Sequence, residues 1–374
     1  MSDLYYKPLR FRESMFLLAI GLVLPVAALS QETRPFEVLV VGDSHISGQG
    51  LKPQNKFYSL VVEWLQNEIV GKDRKVDLKV KAHAGSRIDI HPEELTAMKK
   101  AGDDVNKYYY GEANISSPSI RRQIDDAAAE YRDPKSVELV MLSGCITDVL
   151  VGDIVNPFYP ERKLRERIKR FCGGSMNALL RHIADTFPNA KIVVVGYFPI
   201  ASKKGDVRTM VRYFSRIAGV PPGLQFVFTN PLSRPAMSLL RNRITRRSRL
   251  WVKESDRHIH GAISAVNKDL REKRVIFVAS PIPESASYAT KNSLLWEMGP
   301  DHVPNDETYA ERKVGCASVF TEMKYQHYGR ISTLMCELSS VAHPNVEGSK
   351  AFSGAITAAL KSNFFNREPA LGSQ

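Results

Sequence analysis

Two side chains in this sequence have the types and the surroundings for nucleophilic chemistry. Ser44 ends an apolar run from Phe36 to Val41, in the tripeptide Gly42-Asp43-Ser44, and a helical pattern follows from Phe57 to Ile69. A buried strand of this kind delivers its serine to the carboxyl edge of a sheet, where open α/β folds place their sites. His343 stands in His343-Pro344-Asn345, just ahead of an apolar-periodic helix from Gly348 to Leu360. Brought together, a hydroxyl on a strand-to-helix turn and an imidazole at a loop-to-helix junction are a nucleophile and its general base. Such a base works as neutral imidazole, so activity is expected to rise through a pKa of about 6–7.

The elements that must position this pair are legible as alternation. Glu37–Val41, Val76–Ala82, Val137–Leu142, Lys191–Tyr197 and Arg274–Ala279 are short runs rich in Val or Ile, and helical patterns at Phe57–Ile69, Ser119–Tyr131 and Met176–Phe187 separate them. Alternation of this kind implies right-handed βαβ units around a parallel sheet. The spacing between the fourth and fifth runs exceeds a single crossover. Residues 203–253 are therefore expected as an insertion, kinked at Pro221-Pro222 with turns near Pro231 and Pro235, and a long helix from Leu250 to Lys268 leads back to the sheet. The segment from Pro281 to Leu338 is expected to be irregular, a stapled loop beside the site.

Residues 1–30 carry a basic start (Lys7, Arg10, Arg12), an apolar stretch from Met15 to Leu29 and small residues before Gln31, the pattern of an export signal. The expected location is periplasmic or secreted, with residues 31–374 as the mature domain. Four cysteines in an exported chain favour two disulfides, and nearest neighbours give Cys145–Cys172 and Cys316–Cys336 among three possible connectivities. No Cys-x-x-Cys pair occurs and the histidines do not cluster beside the cysteines, so no metal is expected. His258 and His260, two apart on a helix, point to different faces. The turn at Gly42 lacks the Gly-Lys-Ser/Thr of a phosphate loop, and no Gly-x-Gly-x-x-Gly opens the first crossover, so no cofactor is expected. The formal charge is +12, and between Lys203 and Lys253 stand twelve Lys or Arg against one acid, Asp206. Such a patch suits an anionic lipid or polysaccharide surface or merely a solvated face; nucleic acid is not expected, for no reading motif accompanies it. The chain is expected to act as a monomer.

Gly42-Asp43-Ser44 with Gly48 four residues on resembles the first block of the SGNH hydrolases, also called the GDSL lipase/esterase family. The resemblance covers most of residues 36–362, apart from the basic insertion. It implies a flavodoxin-like three-layer α/β/α sandwich with five parallel strands in the order 2-1-3-4-5, and hydrolysis of a carboxylic ester without a metal. By the same resemblance Ser44 attacks, His343 shuttles the proton, and the Ser44 and Gly85 N–H groups stabilise the oxyanion, Gly85 lying in Ala82-His-Ala-Gly-Ser86 after the second strand. The family's third block resembles Gly144-Cys145-Ile146-Thr147-Asp148, with Thr147 where an asparagine donor is usual and its shorter hydroxyl as the candidate third oxyanion donor. The fourth block is Asp-x-x-His, and Ser340 takes the acid's place, leaving a backbone carbonyl or another carboxylate, Glu337 or Asp148, as candidates to orient His343. Acetylated glycan, lipid and small acyl esters all fit as substrates. The rival reading is a non-catalytic binding protein of the same fold, for an acidic polysaccharide or a lipid surface.

Overall fold

A computed structural model describes residues 34–72, 74–217, 230–325 and 331–365. The expected export signal, residues 1–30, and the Pro221-Pro222 kink lie outside them. The five apolar runs form five parallel strands: β1 (Phe36–Gly42), β2 (Val76–Val80), β3 (Val137–Ser143), β4 (Lys191–Val195) and β5 (Val275–Val278). Their order across the sheet is β2-β1-β3-β4-β5, with every pair parallel. The chain is a three-layer α/β/α sandwich.

Strand periodicity sorts the core into two faces. Leu39 and Val41 of β1, Val140 and Leu142 of β3, and Ile192 and Val194 of β4 pack under the helices Ile120–Glu130 and Met176–Thr186 and the second half of a long helix, Arg234–Leu270. Val38 and Val40, Leu139 and Met141, and Val193 and Val195 point the other way, beneath the helices Phe57–Trp64 and Val346–Leu360. Burial on both faces is why the centres of these strands, Val38–Val41, Leu139–Leu142 and Ile192–Val195, are continuously apolar, their charged residues Glu37, Glu138 and Lys191 standing at the amino-terminal ends, whereas β2, at the edge, carries Asp77 and Lys79 and is only partly buried.

Three expectations need correction. The long helix begins at Arg234, not Leu250. Pro235, read as a turn, sits in the helix's first turn, where no N–H is required of it and its fixed φ suits the helix. The segment from Pro281 to Leu338 is not irregular throughout, for it contains the helices Tyr309–Glu322 and Ser332–Glu337. The Cys316–Cys336 disulfide ties these two helices together, and both cysteines are buried in a satellite cluster with Met98, Ala113, Ile115, Val319 and Met323. The other disulfide is Cys145–Cys172. Among the described residues no helix is long and apolar enough to cross a membrane.

Candidate active site

The turn after β1 is built around one buried carboxylate. Asp43 Oδ1 accepts from Ser143 Oγ at 2.6 Å and from His45 N at 3.1 Å, and Oδ2 accepts from Tyr197 OH at 2.6 Å. Ser143 ends β3 and Tyr197 follows β4, so Asp43 ties three strand ends together. Ser143 Oγ in turn accepts from Ile46 N, and Tyr197 OH from Ile146 N. Burial pushes the Asp43 carboxyl up from its ordinary value against the pull of these donors. Gly42 is required here: its φ is +142°, and a Cβ would lie 2.3 Å from the Ser143 carbonyl oxygen. Ser44 begins a single helical turn, Ser44–Ser47, which closes at Gly48 with that residue's N–H on the His45 carbonyl.

The structure brings Ser44 and His343 together. Ser44 Oγ lies 2.8 Å from His343 Nε2 across 299 residues of sequence. Both line a cavity of about 710 Å³, together with Gly85, Asn114 and Thr147. His343 is carried on a backbone strap: Trp296 N donates to the His343 carbonyl at 2.7 Å, and Ala342 N to the Trp296 carbonyl at 2.9 Å. Asn345 caps the following helix by accepting from Gly348 N at 3.0 Å. Burial and then the Arg312 guanidinium hold the His343 imidazole down to about 4, opposed by the carbonyls of Val341 and Ser340 and by Asp306. Those carbonyls face the ring without a well-formed bond, since Nδ1 has no hydrogen-bond partner among the described residues. The imidazole is therefore neutral over a wider range than the sequence suggests.

Neither Glu337 nor Asp148 orients the imidazole. The Asp148 carboxylate accepts from Ile88 N at 3.1 Å and faces His91 at 3.6 Å; Glu337 reaches the region only through its backbone carbonyl, which accepts from Arg312 Nε. At position 340, Ser340 Oγ donates to Asp306 Oδ2 at 2.6 Å and accepts from Arg312 at 2.9 Å. Arg312 is fully buried between Asp306 and Glu112. The acid nearest this corner thus comes from Asp306, engaged by an arginine. Nothing in the local spacing of Asp306, Arg312 and Glu112 signals that they meet.

Of the candidate oxyanion donors, the N–H groups of Ser44 and Gly85 have no acceptor among the described residues. Gly85 has φ +80°, and a Cβ there would come within 2.4 Å of Ile115 N. Thr147 also lines the cavity, but its hydroxyl donates to the Ser86 carbonyl at 2.5 Å. Gly144 packs against Ile120 behind this wall. His45, beside the serine, sits among Phe57, Tyr197, Phe198 and Phe352; burial and proximity to His343 hold it down to about 3, a neutral core histidine.

Residues 203–253 supply much of one cavity wall. Met210, Val211 and Phe214 come from the helix Val207–Ile217, and Met237, Leu240 and Ile244 from the long helix. Part of the basic excess is already engaged: Arg247 is buried and donates to the carbonyls of Asp153, Ile154 and Tyr159, and Arg249 pairs with Glu284. The lining contributed after β2 carries a buried ion pair between Arg87 and Glu94, with Ser116 Oγ donating to Glu94. Sequence periodicity gave no sign of this pair. Among the described residues no group of three or more His, Cys, Asp or Glu side chains could hold a metal.

No protein-family model matches the chain, and no curated protein matches it. Among solved structures it is similar to an extracellular lipase from Streptomyces rimosus, at 12% identity and a TM-score of 0.41, covering 87% of this chain and 99% of that one. A phospholipase A1 from Streptomyces albidoflavus NA297 gives 13% identity and a TM-score of 0.42, with 87% and 99% covered. A carbohydrate esterase family 2 enzyme from Corynascus thermopiles gives 13% and 0.39, with 87% and 66% covered.

Proposed function

We propose that this protein is a serine hydrolase of carboxylic esters, of the SGNH type, whose substrates carry an apolar acyl group. The observation that carries the reading is the 2.8 Å contact between Ser44 Oγ and His343 Nε2 on the wall of the cavity. In the reaction His343 Nε2 takes the Ser44 proton as Oγ bonds to the ester carbonyl carbon. The resulting oxyanion faces the free N–H groups of Ser44 and Gly85. Collapse breaks the bond to the alcohol, which leaves with the proton from His343. Water then repeats the sequence on the acyl-serine and releases the acid.

The acyl preference rests on the cavity. Its volume falls in the range of sites that enclose a whole small ligand, and an acetyl group would fill little of it. Val155, Phe158, Met210, Phe214, Met237 and Ile244 offer a linear chain an apolar wall. Two disulfides support an oxidising, exported setting.

A fluorophosphonate probe should label wild type at Ser44 and fail on Ser44→Ala. Across p-nitrophenyl esters from acetate to decanoate, kcat/KM should climb by up to about fourfold per methylene until the cavity is full. Absence of labelling and of turnover would favour the binding-protein reading, which the engaged Thr147 hydroxyl and the partnerless Nδ1 of His343 also support. A preference for acetate would sink the apolar-acyl assignment while leaving the hydrolase.

A further inference from the structure

The oxyanion site has two backbone donors, and the third-block residue that would complete it, Thr147, already gives its hydroxyl proton to the Ser86 carbonyl. Asn114 lines the same cavity as Ser44, Gly85 and His343, and among the described residues no hydrogen bond engages its carboxamide. We infer that Asn114 supplies the third oxyanion donor, so that the carboxamide comes from the loop after β2 and not from the turn after β3. This inference rests on the hydrolase reading above.

The backbone places Asn114 directly against Gly85. Ala84 N donates to the Gly111 carbonyl at 3.0 Å, and Ile115 N to the Ala84 carbonyl at 3.3 Å. A Cβ on Gly85 would lie 2.8 Å from the Asn114 carbonyl carbon. The two residues that flank Asn114, Ala113 and Ile115, are buried in the satellite cluster. Asn114 itself is left half-buried at the cavity wall.

The loop is also rigid, which an oxyanion donor needs, because a donor that must reorient during the reaction loses most of its value. Glu112, two residues earlier, accepts from Gly50 N at 3.2 Å, Arg312 at 3.0 Å and Thr308 Oγ1 at 2.9 Å, and its carbonyl accepts from Gln49 Nε2. The same Arg312 holds Ser340, three residues before the base. One buried network therefore fixes both the loop that bears Asn114 and the approach to His343.

The test is steady-state kinetics on p-nitrophenyl butyrate with matched melting curves. Asn114→Ala should lower kcat by about 10²-fold with KM within roughly threefold, the signature of a donor used in the transition state. Asn114→Asp keeps the shape, guards against misfolding, and should lose at least as much, since a carboxylate repels the oxyanion. In the Asn114→Ala background Thr147→Asn should raise kcat by about tenfold or more, by restoring a carboxamide from the other turn. A folded Asn114→Ala with wild-type kcat, or a tenfold gain from Thr147→Asn in wild type, overturns the assignment of Asn114 alone. Wild-type turnover no higher than that of Ser44→Ala overturns the hydrolase reading and this inference with it.

Discussion

Ser44 and His343 stand on turns held by different means. The serine's turn is fixed by a side chain: Asp43, next to Ser44 in sequence, gathers donors from the ends of β3 and β4 and from its own turn. The histidine's turn is fixed by backbone, through the strap to Leu294 and Trp296, and by a remote network acting on Ser340. At His343 Nδ1 no hydrogen-bond partner is found among the described residues. Ser44 is therefore locked by one residue that a single substitution can remove, while His343 is held by several ties and its tautomer by none. Loss of one side chain should accordingly be costly on the first turn and mild on the second.

The sharpest break is Asp43→Ala. It removes three hydrogen bonds to a buried carboxylate and leaves Ser143 and Tyr197 without their acceptor. We expect a loss of about 3 kcal/mol or more in denaturant-measured stability, together with loss of fluorophosphonate labelling. A variant as stable as wild type would show that the strand ends do not depend on Asp43.

The second comparison is in pH. With His343 held down to about 4 by burial and Arg312, the imidazole is protonated only in strong acid. The acid limb of kcat/KM should then fall near pH 4, not at 6–7. Ser340→Asp places a carboxylate at the Arg312–Asp306 corner where Ser340 Oγ lies, offsets the Arg312 charge that helps hold the imidazole down, and should move that limb up by about one unit. Identical pH profiles for the two proteins would take position 340 out of the mechanism.

The smallest effect is expected at the cap of the helix that follows His343. Asn345→Ala removes the acceptor for Gly348 N and should cost about 1 kcal/mol, with kcat/KM nearly unchanged because the backbone strap remains. A large loss of activity would mean that the cap, and not the strap, places His343.

What could be read before the fold was known follows the same division. Ser44 was legible because strand, glycine, cap and serine are consecutive in Phe36–Ser47, and each has a local physical signature. His343 was legible as a junction histidine from Pro344, Asn345 and the helix behind it. The segment from Tyr309 to Glu337 was not, because its two short helices derive their stability from the disulfide and from Met98, Ala113 and Ile115, far off in sequence. Pro235 misled because proline suits a turn and a first helical turn equally well.

Apolar periodicity is a local property, and with the topology that the family resemblance implied it was enough to determine the sheet, its order and the edge on which the serine stands. Tertiary structure alone decided what surrounds that serine. Arg312 joins Glu112, Asp306 and Ser340 across some two hundred residues of chain. Thr147 turns to Ser86, and residues 203–253, prominent in sequence for their charge, contribute Met210, Phe214, Met237 and Ile244 to the cavity wall. Contacts of this kind depend on which side chains meet after the backbone has closed, and the spacing of residues along the chain carries no record of that.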